Sequence, residues 1–373
     1  MKRLLLLAAL TTPGFVLAAV TADAAPQAAA PAPASAPAPA PAAAAAEAVP
    51  AVGARSHEAH PELAGLPAQA LAVRVEPAGA TSPLAVGVWP GAPYQGALLV
   101  VDVAAPAAIT DATGTFLGKK LIWHRLDERT WRGMGPVPDD AKVGGASLAV
   151  EVKAGGAKLK RTIDLEVRPL EFDADELRVD PKFTKLSKKA AAQVAKDREA
   201  IAAMWRKGSA PAPHFSANFV VPRADRTTAP YGTRRVYNGK TRSVHHGWDI
   251  DGDVGDEIRA PNAGVVTLAS DLYYSGGTLF VDHGGGLYTG YFHMDSFAVK
   301  PGQRVEAGEL LGTVGKSGRV TGPHLHWAAK IGGHYIHPAS VLLFDFTRPM
   351  VGGAAAADPA SEGPKVVPAG ATR

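Results

Sequence analysis

The sequence predicts a mainly β protein, and three observations lead there. Short apolar runs of alternating character recur, separated by turns drawn from 40 glycines and 31 prolines. Helical spacing is convincing in one stretch, Ser187 to about Lys207, where Ala190, Val194, Ile201 and Trp205 form a stripe. Two histidine-bearing stretches, His245–Asp249 and His324–His326, also read as strands. Gly247, Trp248 and Ile250 in the first, and Trp327 after the second, argue against a regular helix.

Residues 1–24 read as a signal peptide. Lys2-Arg3 precedes an apolar run, Leu4 to Val20, and Ala22-Asp23-Ala24 is a plausible cleavage site. Export to the periplasm or beyond the cell is therefore expected. Thr11, Thr12, Pro13 and Gly14 interrupt the run, so no stable membrane span is expected. Residues 25–60 are dominated by Ala and Pro at first and cannot bury a core, which predicts a disordered linker. The chain has no cysteine, which excludes disulfides, a lipoprotein anchor and thiolate metal ligands.

Residues 61–170 predict a β-sandwich of immunoglobulin-like type. Leu71–Glu76, Ala97–Val103, Lys119–His124, Ser147–Val152 and Arg161–Val167 are its candidate strands. In Leu71–Glu76 the large apolar residues alternate with Arg74 and Glu76, which predicts an apolar inner face. Pro77-Ala78-Gly79, Pro90-Gly91 and Gly144-Gly145 mark turns. No catalytic constellation falls here, so positioning, covering a cleft or binding an envelope protein partner are its expected roles. Residues 171–212 form a helical linker, with Ser187 able to cap the helix. Residues 213–346 form a second β domain, and residues 347–373 a disordered tail.

The formal charge is +4, and losing Lys2, Arg3 and Asp23 with the signal peptide leaves +3. That weak bias does not indicate a nucleic-acid binder. The chemistry concentrates in the second domain. Residues two apart on a strand share a face, so His245, Gly247, Asp249 and Asp251 would lie together, with Trp248 and Ile250 opposite. Gly247 would leave room between His245 and Asp249 for a metal. His324 and His326 would project side by side, one binding metal and the other handling a proton. Tyr291 and His293 share a face by the same rule. Three nitrogen and oxygen ligands with an open fourth position are the makings of a catalytic zinc site, although other divalent metals take the same donors.

His245-x-Gly247-x-Asp249, Tyr291-x-His293 and Gly322-Pro323-His324-Leu325-His326 together resemble the signature of the lysostaphin/LytM-type zinc endopeptidases. Tyr231-Gly232-Thr233-Arg234 resembles the family's aromatic-Gly-x-Arg entry, and Ala260–Val266 its A-x-x-x-G-x-V strand. Val299–Val305 and Gly308–Gly312 resemble its glycine turns, so the likeness runs from about Phe215 to Phe344. The resemblance implies a mostly antiparallel catalytic domain of the duplicated-hybrid-motif type. It implies zinc held by His245, Asp249 and His326, with His293 and His324 as the catalytic pair. His246 lacks the ligand spacing to Asp249 and is read as a cleft-wall residue. Tyr231 and Tyr237 are candidates to line the substrate groove. The implied substrate is the peptide cross-links of bacterial peptidoglycan. The competing expectation is a non-catalytic relative that activates other wall hydrolases. His283 is expected to be structural, and His334 and His337 to be surface or packing residues.

Overall fold

The computed structural model describes residues 71–79, 82–171, 174–239 and 241–352. The expected signal peptide, the 25–60 linker and the tail beyond residue 352 lie outside these residues. All described residues belong to one compact unit, Glu47–Arg373.

Two antiparallel sheets form the N-terminal half. One contains β1 (Arg74–Glu76), β2 (Ala85–Trp89), β3 (Leu98–Ala104), β7 (Thr130–Pro136) and β6 (Ile122–Arg125), in that order. The other runs β5 (Lys119–Lys120), β4 (Ile109–Phe116), β8 (Gly144–Ala154) and β9 (Ala157–Val167). Period-two burial is clearest in β8 and β9, where Leu148, Val150 and Val152 and then Ile163, Leu165 and Val167 face inward. Their hairpin closes at Ala154↔Ala157 through Gly155 and Gly156, both at positive φ, as a tight two-residue turn requires.

Two expectations for this half change. Lys119–His124 is not one strand. The chain leaves one sheet after Lys120 and joins the other at Ile122, with the Leu121 N–H bonding Gly114 O at 2.9 Å between them. The faces of β1 are also reversed. Val73 and Val75 are 46% and 47% exposed, while the Arg74 guanidinium donates to Asp164 O on β9 and bonds Glu76. Arg161 joins this polar cluster through Glu76. An edge strand can close a sandwich with charges, and alternation alone cannot say which face does so.

The linker begins as β10 (Ala174–Leu177), which pairs in parallel with β12 (Arg234–Tyr237); β12 in turn pairs with β13 (Thr241–Val244). A 3₁₀ turn at Pro181–Phe183 leads to helix α1 (Lys188–Lys207). Ser187 caps it, accepting from the Ala190 N–H at 3.2 Å. The helix docks on the C-terminal half. Val194 and Met204 are buried, Trp205 packs edge-on against Phe280 and Tyr288, and Asp197 accepts the Tyr273 N–H at 2.7 Å.

The C-terminal half is built on an eight-stranded sheet. Its path is β11 (Thr227–Ala229), β14 (Trp248–Ile250), β22 (Leu325–Ile331), β18 (Leu287–Met294), β17 (Gly276–Asp282), β16 (Gly264–Leu272) and β20 (Arg304–Val305). The remaining strand, β23 (His334–Ile336), pairs with β22. A small sheet of β15 (Glu257–Arg259), β21 (Leu310–Thr313) and β19 (Ser296–Phe297) completes it, with short helix α2 (Ala339–Leu343) beyond. Every pairing in both sheets is antiparallel. The fold is thus mainly β, as the sequence predicts.

One apolar cluster runs through both halves, from Leu84 and Val150 to Trp248 and Val341. The Ser340 hydroxyl bonds Tyr94 Oη at 2.8 Å and accepts the Leu98 N–H at 3.1 Å. Residues 347–352, expected in the tail, belong to this junction. The Arg348 carbonyl and the Met350 N–H bond Arg132 and Asp102, and Val351 is buried.

Candidate metal centre and groove

Register places the first two ligand candidates. Antiparallel pairing of β14 with β22 sets Asp249 opposite His326 on one face and Trp248 opposite Trp327 on the other. Both tryptophans are fully buried, so the opposite face carries the polar pair. His245 lies before the strand. Two backbone bonds hold it there, His245 N–H to Thr233 O at 2.9 Å and Gly232 N–H to His245 O at 2.7 Å. The expected role of Gly247 changes. A Cβ there would lie 2.5 Å from Trp327 O and 2.7 Å from His326 Nε2, so the glycine makes room for β22 and its imidazole, not for the metal.

Three donor atoms converge. His245 Nε2, Asp249 Oδ1 and His326 Nδ1 lie 2.8 Å from one another. His245 Nδ1 lies 2.8 Å from Pro230 O. A carbonyl only accepts, so Nδ1 carries the proton and Nε2 presents its lone pair. One carboxylate and two imidazoles, pressed together without protons enough to pair them all, fit a divalent cation. Burial would raise the Asp249 pKa, but His245 and His326 outweigh it and hold the carboxyl well below its usual range. Burial pushes His326 down to about 4, against the upward pull of its hydrogen bond to Asp249.

The second Asp249 oxygen is held by Arg235. The resemblance at Tyr231–Arg234 stops one residue short of it, at Arg234, and assigns that residue no role. Alternation on β12 explains the difference: Arg234 faces solvent, whereas Arg235 and Tyr237 point toward the cleft. Strand period could have found Arg235 had β12 been recognised.

His293 and His324 stand beside the cluster, their ring centroids 5.0 Å apart. His324 Nε2 is 3.6 Å from Asp249 Oδ1. His293 occupies a bulge. Between Leu279 and Gly277 of β17 the partner strand advances from Tyr291 to Met294, one residue extra, and His293 takes φ 65°. Its Nδ1 bonds Ser317 O at 2.9 Å, and His324 Nδ1 bonds Gly322 O at 3.0 Å. Carbonyl partners again put the protons on Nδ1 and leave the lone pair on Nε2. Burial, with His324 and His326 nearby, lowers the His293 pKa to about 3, so this ring is neutral at pH 7.

A groove of about 240 Å³ passes over the centre, lined by His245, His293, His326, Arg235, Tyr237 and Tyr335 among others. Tyr237 therefore lies where expected. Tyr231 does not line it. It is 3% exposed, with its ring against His337 and under Gly96 of the N-terminal half. His246 is a groove-wall residue, stacked on Tyr335 at 4.9 Å and bonded through Nε2 to Asp139 of the sandwich at 3.0 Å. No local signal marks Asp139, because its partner lies 107 residues away. A larger cavity, about 590 Å³, lies at the junction beside Arg234 and Val244. His283 is fully buried between Ala263 O and Thr289 Oγ1 and takes no part in the cluster. His334 is exposed and His337 is packed.

Residues 243–338 match the family described as Peptidase family M23. A 118-residue stretch is 36% identical to "DD-carboxypeptidase/endopeptidase Mpg" of Neisseria meningitidis serogroup B, covering 32% of this chain and 27% of that one. A 120-residue stretch is 35% identical to "Peptidoglycan DD-endopeptidase ShyC" of Vibrio cholerae, covering 32% and 28%. The chain thus spans little more than a quarter of the length of these relatives. Among solved structures, a putative peptidase M23 from Pseudomonas aeruginosa aligns at TM-score 0.49 and 26% identity, over 67% of this chain and 95% of that one.

Proposed function

With a Peptidase M23 domain at residues 243–338 as the premise, we propose that this chain is an exported zinc metallo-endopeptidase cleaving peptide cross-links in bacterial peptidoglycan. The observation that carries the reading is the convergence of His245, Asp249 and His326 donor atoms within 2.8 Å, flanked by two further imidazoles. Relatives named as peptidoglycan DD-endopeptidases support the substrate class. The N-terminal sandwich fits an immunoglobulin-type domain, because its chain order across the two sheets is the A-B-E-D and C-F-G order of such domains, with one extra edge strand on each sheet. Export rests on the signal-like segment at residues 1–24. Among the described residues no helix is long and apolar enough to cross a membrane.

Zinc held by these three residues would supply Lewis acidity, lowering the pKa of water to about 7 and polarising a carbonyl. Arg235 keeps Asp249 aimed, while His245 and His326 outweigh its burial and hold it ionised. His293 lines the groove and His324 stands beside it, each with Nδ1 held by a carbonyl and the lone pair of Nε2 free to accept. One takes the proton from the attacking water as the new C–O bond forms. That proton then passes to the amide nitrogen as the C–N bond breaks. Whichever imidazole is protonated also faces the developing oxyanion. A regulator that had lost catalysis would not need all five groups, and this chain keeps them.

Digestion of purified peptidoglycan by the mature chain tests the reading. Cross-linked dimers should become monomers, identified by mass, and His326→Ala should abolish the conversion. A zinc-loaded protein that leaves the cross-links intact would refute it.

A further inference from the structure

We propose that Arg319 is an anion-recognition residue of the groove, receiving a free carboxylate of the peptide near the bond that is cut. The identity of the peptide rests on the peptidase reading above; the chemistry rests on the surroundings of Arg319. This residue lies in the segment between β21 and β22, and its N–H bonds Tyr274 O at 2.8 Å. Its guanidinium carbon is 4.1 Å from the Tyr237 ring centroid and 5.1 Å from that of Tyr274. It lines the same groove as His245, His293 and His326.

Its pairing sets it apart. Arg132, Arg161, Arg223 and Arg235, the other arginines shielded from solvent, each reach a carboxylate. Arg319 is half-buried, as Arg161, Arg223 and Arg235 are, yet among the described residues no carboxylate lies within ion-pairing reach. A guanidinium cannot shed its charge, and aromatic faces satisfy its π surface without occupying its five in-plane N–H donors. Two tyrosines therefore hold the fork in place while its donors stay free. The ordering cost of an arginine side chain is met before any ligand arrives, which favours bidentate capture of a planar carboxylate. A phosphate would suit the donors too, but the neighbouring metal centre and imidazole pair act on an amide bond, so the anion that reaches this position belongs to a peptide. The carboxylate can come from the peptide's C-terminus or from a side chain, and the fork would serve either.

The test uses the full chain and three forms of one cross-linked muropeptide dimer. One has all carboxylates free, one has the C-termini amidated, and one has the side-chain carboxylates amidated. Binding is measured by calorimetry and hydrolysis separately by mass. Amidation of the recognised carboxylate should weaken wild-type binding roughly tenfold, the worth of one charge-assisted hydrogen bond. The form that suffers identifies the source. Arg319→Gln should bind the free acid as weakly as the amide and leave amide binding unchanged, and Arg319→Lys should recover part of the preference. Wild type that binds every form alike, or none, overturns the proposal. So does an Arg319→Gln variant that weakens all forms by one factor, since the guanidinium would then only brace Tyr237 against Tyr274. Preference in binding without hydrolysis would keep this proposal and remove the peptidase reading. Hydrolysis without preference would do the reverse.

Discussion

Each half of the molecule buries an Arg–Asp pair, and the two are built to opposite ends. In the sandwich, Arg132 forks onto both oxygens of Asp102 at 2.7 and 2.8 Å, and its remaining donors reach Phe346 O and Arg348 O. Asp102 also accepts the Met350 N–H at 2.7 Å. Both side chains are at most 2% exposed, and nearly every donor and acceptor is used. In the C-terminal half, Arg235 reaches only one Asp249 oxygen, and its Nε has no partner. The other oxygen faces two imidazole nitrogens. Saturation marks a pair that holds the fold. A pair left with spare valence marks a place where something else is to bind.

Substitutions can break this contrast, and the largest effect should fall on catalysis. Asp249→Asn keeps an oxygen for Arg235 but removes the anionic ligand. Peptidoglycan cleavage should drop by at least the roughly 10²–10³-fold that one lost transition-state donor costs, and bound zinc should be lost with it. The matching change in the sandwich, Asp102→Ala, strands a buried guanidinium and should cost about 3–5 kcal/mol of stability in denaturant melts. A stable Asp102→Ala protein would erase the distinction between the two pairs.

The next effect is on acid stability. Burial lowers His283 to about 4, below its ordinary 6.5. Its neutral form favours the native state, so the contribution is complete above about pH 6.5 and declines as pH falls toward about 4. The loss over that window is about 3 kcal/mol. Thermal melts of metal-stripped protein at neutral and acid pH should show it, with a smaller acid loss in His283→Asn. The smallest effect belongs to the support of Asp249, the proposed metal ligand. Arg235→Gln should weaken zinc affinity 10–100-fold in competition with a chelator. Unchanged affinity would mean that Asp249 needs no help to stay aimed.

Much of this was legible in the chain. His245, Asp249 and His326 stand in short motifs whose spacing survives folding: one register, β14 on β22, sets Asp249 opposite His326, and His245 lies just before β14. The Ser187 cap was readable for the same local reason. What escaped reading depends on distance or on face. Asp139 meets His246 from a turn of the N-terminal half. Strands β2, β4 and β7 hold glycines and polar residues that break simple alternation, as in Ala85–Trp89, Ile109–Phe116 and Thr130–Pro136. Val73 and Val75 alternate as an inner face should, yet face out, because charges on the other face find partners across the sandwich edge.

The Ser340 hydroxyl, shared between Tyr94 and the Leu98 backbone, has a consequence for inheritance. A hydroxyl that answers to two halves cannot be exchanged by either alone. The continuous core around it means that the sandwich and the C-terminal sheet cannot be shuffled apart like beads on a string. Changes on one side of the seam must be accepted by the other, so the two halves should drift together through evolution as one heritable piece.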